Sequence, residues 1–185
     1  MKRIKLTGKN SGLAKELIYQ LNKLGYDVTG YGRGDIDLND THDVLSKIAD
    51  AEIFINNANY DFTQTKILYE LFKLWKDDEK KLIINISSRA AQPNISKGYL
   101  YAAQKAALEH LANNLVYNSD KKCRITTVSL GLLEADIESL TYEQTAKHIV
   151  KLIEQPESEE TVHLSLQHSR CYTEVQAVKA ARLSR

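Results

Sequence analysis

The 185-residue sequence predicts an α/β protein with a doubly wound, mostly parallel sheet of about seven strands and helices on both faces. Three observations lead there. Short β-rich runs alternate with longer stretches of 3.6-residue apolar periodicity, the order that parallel crossovers require. The runs IFIN (Ile53–Asn56) and LIINI (Leu82–Ile86) are apolar nearly throughout rather than alternating, as strands covered on both faces are. The first strand also runs straight into a glycine-bearing turn and then a helix.

The elements follow in order. Arg3–Thr7 is a strand, and Leu13, Leu17, Leu21 and Leu24 repeat at helical spacing until Gly25. Tyr26–Tyr31 is a second strand and Ile36–Leu38 a short third, with no room for a helix between them. Asp40 or Thr41 caps a helix that ends near Ala49, and Glu52–Asn56 is the fourth strand. From Phe62 to Trp75, the residues Ile67, Leu68, Leu71, Phe72 and Trp75 share one helical face. Leu82–Ser87 is the fifth strand, Tyr99–Tyr117 an alanine-rich helix and Arg124–Leu130 the sixth strand. Thr141–Glu154 is helical, and Thr161–Leu166 is the seventh strand. No repeat or linker marks a second domain, so residues 1–170 are expected to form one domain and 171–185 a C-terminal tail.

Composition narrows the function classes. A 43% hydrophobic and 26% charged chain is an ordinary globular sequence, and a net charge of +1 gives no electrostatic footprint for nucleic acid. No apolar run approaches the roughly 20 residues that span a bilayer. Cys123 and Cys171 stand in unrelated contexts, which reads as a reducing, cytoplasmic setting. The five histidines have no metal-ligand spacing, so no metal is expected.

Chemistry concentrates at two places. In the turn Thr7-Gly8-Lys9-Asn10-Ser11-Gly12-Leu13-Ala14, two glycines permit a tight turn and close approach of a pyrophosphate. The N–H groups at the following helix start can hold the anion. A strand–helix turn with glycine also has purely structural uses. Downstream, Tyr101 and Lys105 lie four apart on one helical face, and Ser88 precedes Tyr101 by thirteen positions. Hydride transfer to a carbonyl leaves an alkoxide that needs a proton, which a positioned tyrosine hydroxyl can supply. Tyrosine alone is a weak acid/base near neutrality, and a nearby ammonium favours its ionised form. Ser88 can hydrogen-bond the substrate oxygen, or can simply cap the end of its strand.

At these residues the chain resembles the short-chain dehydrogenase/reductase family, from about Lys5 to Leu166. Its motifs correspond to TGKNSGLA, Asp37-Leu38, Asn56-Asn57-Ala58-Asn59, Asn85-Ile86-Ser87-Ser88 and Tyr101-Ala102-Ala103-Gln104-Lys105, with Val128-Ser129-Leu130-Gly131 after the sixth strand. The resemblance implies a Rossmann-type fold and an NAD(P)-dependent oxidoreductase acting on a small carbonyl or alcohol. Ser88, Tyr101 and Lys105 would be catalytic. Gly8, Asn10, Ser11, Gly12, Leu13, Arg33, Asp37, Leu38, Asn57, Ala58, Asn59, Tyr101, Lys105 and Leu132 would bind cofactor. It also implies a homodimer or higher homo-oligomer, with the dimer formed through the helices beginning near Phe62 and Tyr99.

Departures from the pattern matter. Ala14 replaces the third glycine, and Asn59 replaces a glycine whose left-handed conformation asparagine tolerates. Asp61 falls where the family often has the asparagine that holds a relay water. Leu130 replaces a proline, Ala135 replaces a nicotinamide-contacting threonine, and almost no substrate loop follows Gly131, which predicts a shallow pocket. NADP(H) is expected over NAD(H): Gly32 stands at the position of a ribose-binding acid, and Arg33 beside it suits a 2′-phosphate. Asp35 is the acid that opposes this reading. The alternative function is a catalytically weak NAD(P)-binding sensor on the same fold. A nucleotide-sugar epimerase or reductase shares the Tyr-Lys motif, but needs a sugar-binding domain for which this chain has no room.

Overall fold

The structure, a computed structural model, describes residues 2–92, 98–135 and 139–169. The expected tail at 171–185 lies outside the described residues. The elements are β1 (Arg3–Thr7), α1 (Gly12–Lys23), β2 (Asp27–Tyr31), α2 (Thr41–Ile48), β3 (Ile53–Asn56) and α3 (Thr63–Trp75). They continue with β4 (Leu82–Ser88), α4 (Tyr99–Tyr117), β5 (Arg124–Leu130), α5 (Tyr142–Glu154) and β6 (His163–Leu166). All strands are parallel, in the order β2-β1-β3-β4-β5-β6. Chain order reverses across β1, so the carboxyl ends of β1 and β3 flank the crevice where open α/β sheets bind ligands.

Among the described residues the sheet has six strands rather than about seven. Ile36–Leu38 contributes only an isolated bridge, Ile36 to Arg33. Its polar groups serve the turn and the next helix: Asp37 Oδ1 accepts the Asn39 N–H, and the Asp37 N–H donates to Asp43 Oδ2. Asp40 then caps α2 by accepting from the N–H groups of His42 and Asp43.

β3 and β5 are buried at every position. The apolar runs therefore have helices on both faces, as expected. On one face Leu6, Ile55, Ile84 and Val128 meet Leu13 and Leu17 of α1 and Ile149 and Ile153 of α5. On the other Phe54, Ile83 and Ile125 meet Ile67 and Leu71 of α3 and Leu108 and Ala112 of α4. Among the described residues no helix is long and apolar enough to cross a membrane.

Candidate active site

The glycine turn is stitched to the carboxyl end of β3. Thr7 Oγ1 accepts from the N–H groups of Asn57 (3.1 Å) and Ala58 (2.9 Å). Asn57 Nδ2 donates to the Thr7 carbonyl (2.9 Å) and to Ser11 Oγ (3.2 Å). Gly8 has φ +77°, and a Cβ there would lie 2.7 Å from Asn57 Nδ2. Both the backbone conformation and the close approach require glycine. Ser11 caps α1 by accepting from the Ala14 N–H, so alanine suits the third glycine position, where it is fully buried. Gly12 has a different reason: a Cβ there would meet the Tyr142 ring of α5 at 2.1 Å. It makes room for an aromatic ring.

Beyond this turn opens a cleft of about 1010 Å³. Of the predicted cofactor residues, Gly8, Asn10 and Ser11 line its floor. Arg33, Asp37 and Leu38 line one wall, and Asn57, Ala58 and Asn59 the other. Gly12, Leu13 and Leu132 do not line it; Leu13 is buried in the core and Leu132 is exposed. Asn59 does not take the left-handed conformation that a glycine there would favour. Asp61, two residues on, does so at φ 46°. The position of the cleft at the reversal of strand order, its glycine floor and the helix start beside it fit a dinucleotide. Arg33 is exposed, and among the described residues its side chain makes no hydrogen bond or ion pair. Asp35 is engaged: its Oδ2 accepts the Gly32 N–H (2.7 Å) and pairs with Lys9 Nζ (2.5 Å).

Ser88, Tyr101 and Lys105 do not line this cleft. They stand at the end of β4 and the start of α4. Ser88 is half-buried, and its Oγ accepts the Ala90 N–H (3.1 Å), capping a 3-10 turn over Arg89–Ala91. Tyr101 is 38% exposed and Lys105 only 3%. Lys105 Nζ lies 5.6 Å from the centre of the Tyr101 ring. It donates to Gln64 Oε1 (2.6 Å) and to the Ile86 carbonyl (2.9 Å). Burial pushes the ammonium down to about 8, and Glu109, one turn further along α4, opposes that shift. The buried Glu109 carboxylate accepts from Ser129 Oγ of β5 and from Gln92 Nε2.

The residue facing Lys105 from α3 is therefore Gln64, not Asp61. Asp61 sits before the helix, where its carboxylate accepts from Gln104 Nε2 (3.4 Å). The turn from β3 is short and passes through a left-handed residue at Asp61, so α3 starts only at Thr63. Gln64 Nε2 donates to the carbonyls of Asn56 (2.6 Å) and Ile86 (3.1 Å). With both amide hydrogens used, Oε1 must face Lys105. A sequence signal was present: Gln64 occupies a position in phase with the apolar stripe Ile67, Leu68 and Leu71. A polar side chain within such a stripe needs a buried partner.

A family model described as short chain dehydrogenase matches residues 62–146, the part that holds Ser88, Tyr101 and Lys105. No curated protein sequence matches the chain. Among solved structures, the chain is similar in fold to serine dehydrogenase from Escherichia coli, with 16% identity and a TM-score of 0.71 over 89% of this chain and 96% of that one. It is likewise similar to an alcohol dehydrogenase from Thermococcus sibiricus complexed with 5-hydroxy-NADP (14% identity, TM-score 0.73, 91% and 97%). A third is the 3-alpha-hydroxysteroid dehydrogenase from Pseudomonas sp. B-0831 complexed with NADH (17%, 0.68, 89% and 94%). With the motifs in register, a family match spanning α3 to the start of α5 and the fold shared with these dehydrogenases, the chain is similar to the short-chain dehydrogenase/reductase family.

Proposed function

We propose that this chain transfers a hydride between NADP(H) and a small carbonyl or alcohol, with Tyr101, Lys105 and Ser88 as its catalytic group. A bound nicotinamide supplies or accepts the hydride. In the reductive direction the carbonyl carbon gains that hydride, and the carbonyl oxygen takes the phenolic proton of Tyr101. Lys105 holds positive charge beside the tyrosine, so the phenolate left behind is stabilised. Ser88 donates its hydroxyl hydrogen to the substrate oxygen while its Oγ still accepts the Ala90 N–H. Gly8, Asn10 and Ser11 carry the pyrophosphate, Asp37 and Leu38 the adenine end, and Arg33 the 2′-phosphate.

The observation that carries this reading is the clamping of Lys105. A buried ammonium held by two acceptors in one orientation, one helical turn from a half-exposed tyrosine, is costly unless it has work to do. The test is a screen of small aldehydes, ketones and alcohols followed by NADPH and NADH absorbance. Turnover of any of them supports the reading. Absence of turnover together with tight cofactor binding favours the second one, a catalytically weak NAD(P) sensor. The cap that Ser88 makes on its own chain is the observation that favours that alternative.

The same reading includes a cytoplasmic protein of one domain over residues 1–170, and a homodimer across α3 and α4. Tyr69 and Leu74 of α3 and Tyr99, Leu100 and Tyr117 of α4 are exposed apolar surface that supports such a contact. Light scattering that gives a strict monomer at high concentration overturns the dimer.

A further inference from the structure

The loop after β2 carries an acid, Asp35, in the wall of the cleft next to Arg33. An unpaired carboxylate there repels a 2′-phosphate and accepts from a 2′-hydroxyl, which selects NAD(H). Asp35 is not unpaired. Lys9, the residue after Gly8, donates its backbone N–H to the Tyr31 carbonyl (3.0 Å) and sends its side chain along β2. A Cβ at Gly30 would meet Lys9 Cβ at 2.9 Å, and one at Gly32 would meet Lys9 Cγ at 3.2 Å. The two glycines form the groove in which the lysine lies. At its end Lys9 Nζ reaches the Asp35 oxygen that also accepts the Gly32 N–H. That ammonium, followed by the Gly32 N–H, holds the Asp35 carboxyl below its ordinary value.

We infer that Lys9 is a specificity-determining residue: it neutralises Asp35 and so lets Arg33 receive a 2′-phosphate. Lys9 acts through Asp35, and the glycine spacing at 30 and 32 serves that pair. The inference deepens the NADP(H) reading above and rests on it. Charge compensation at a half-exposed corner changes affinity by about three- to tenfold.

The experiment is a double-mutant cycle read by calorimetric titration with NADP+, NAD+, 2′,5′-ADP and ADP. The last two probe the adenosine end without the nicotinamide. Lys9→Gln is expected to weaken NADP+ and 2′,5′-ADP by about three- to tenfold and to leave NAD+ and ADP within twofold. Asp35→Asn keeps an oxygen for the Gly32 N–H and removes the charge. In that background Lys9→Gln is expected to have no selective effect. Equal weakening of all four ligands by Lys9→Gln overturns the inference. So does an undiminished selective loss in the Asp35→Asn background, because the lysine then touches the phosphate itself. A wild type that prefers NAD+ overturns the NADP(H) reading instead, while the cycle still reports on the Lys9–Asp35 coupling.

Discussion

The two ends of the sheet's carboxyl edge hold their charges differently. At the β1–β2 end, Lys9, Arg33 and Asp35 stand on loops, partly or fully exposed, and the backbone does much of the shaping through glycines. At the β4–α4 end, Lys105 and Glu109 are buried and fixed by partners from three other elements: Gln64 of α3, Ile86 of β4 and Ser129 of β5. Exposed charge pairs in high dielectric contribute little to the stability of the fold, whereas a buried ammonium commits several kcal/mol to one geometry. In the proposed function the first end recognises a charged ligand, and the second keeps one charge in one place. Four substitutions separate the two.

Tyr101→Phe has the largest expected effect. It removes the proposed proton donor but none of the proposed phosphate-binding groups, so kcat should fall by about two to four orders of magnitude with cofactor affinity within about twofold. Steady-state kinetics and a cofactor titration check both halves. A wild-type kcat would break the assignment of chemistry to the β4–α4 end.

Lys105 gives a stability effect of about 3 kcal/mol with a definite sign. Its folded value of about 8 lies below the ordinary 10.5, so burial disfavours the charged form. Below about pH 8 both states bind the proton and the whole cost is present. Between about 8 and 10.5 the native state releases a proton that the unfolded chain keeps, and stability from this group rises with pH. Cys123 acts oppositely: burial pushes its thiol up to about 11, so above about 9 the unfolded chain alone ionises. Total stability therefore mixes the two. The difference between wild type and Lys105→Met isolates the lysine, and urea midpoints should show it moving toward the wild type from pH 7 to pH 10. A difference that does not vary with pH contradicts a buried ammonium.

Arg33→Ala tests the other end. One charge-assisted phosphate contact contributes about 1.5–3 kcal/mol, so NADPH affinity should fall by one to two orders of magnitude. NADH binding and kcat at saturating cofactor should hardly change. Tighter binding of NADH than NADPH by the wild type would show that this loop recognises a ribose hydroxyl.

How legible each end was in the sequence follows from the same difference. Among the described residues, apolar period and glycine position showed the sheet, all five α-helices to within a residue or so, and the glycine turn, because those patterns are local. α2 was equally local, with Asp40 as its cap. The third strand was overread: Ile36 and Leu38 have the apolar alternation of a strand, but Asp37, Asn39 and Asp43 bond one another and leave no ladder. Gln64 was missed because its meaning depends on Lys105, forty-one positions away, and on two carbonyls that no sequence pattern marks. The Lys9–Asp35 pair was hidden in the same way, since a turn and a loop meet only after β1 and β2 have paired.

Gln64→Leu gives the smallest effect and the most specific one. Leucine keeps the volume and apolar character of this stripe position but removes Oε1, which favours the charged form of Lys105. The lysine value then falls below about 8, and the alkaline limb of kcat/KM moves to lower pH. That limb belongs to the free enzyme, so it reports Lys105 before substrate is bound. A shift of about half a unit to one unit is expected, which is about a two- to fivefold loss at pH 8 and little change at pH 6. Leucine also leaves the Asn56 carbonyl without its Gln64 donor, at a stability cost of about 1–3 kcal/mol. A purely structural role for Gln64 predicts that loss alone, with lower activity at every pH and an unmoved limb. Profiles for both proteins, measured well below their melting temperatures, distinguish the two. An unmoved limb means the glutamine only fills space, and a moved one means it holds the ammonium for chemistry.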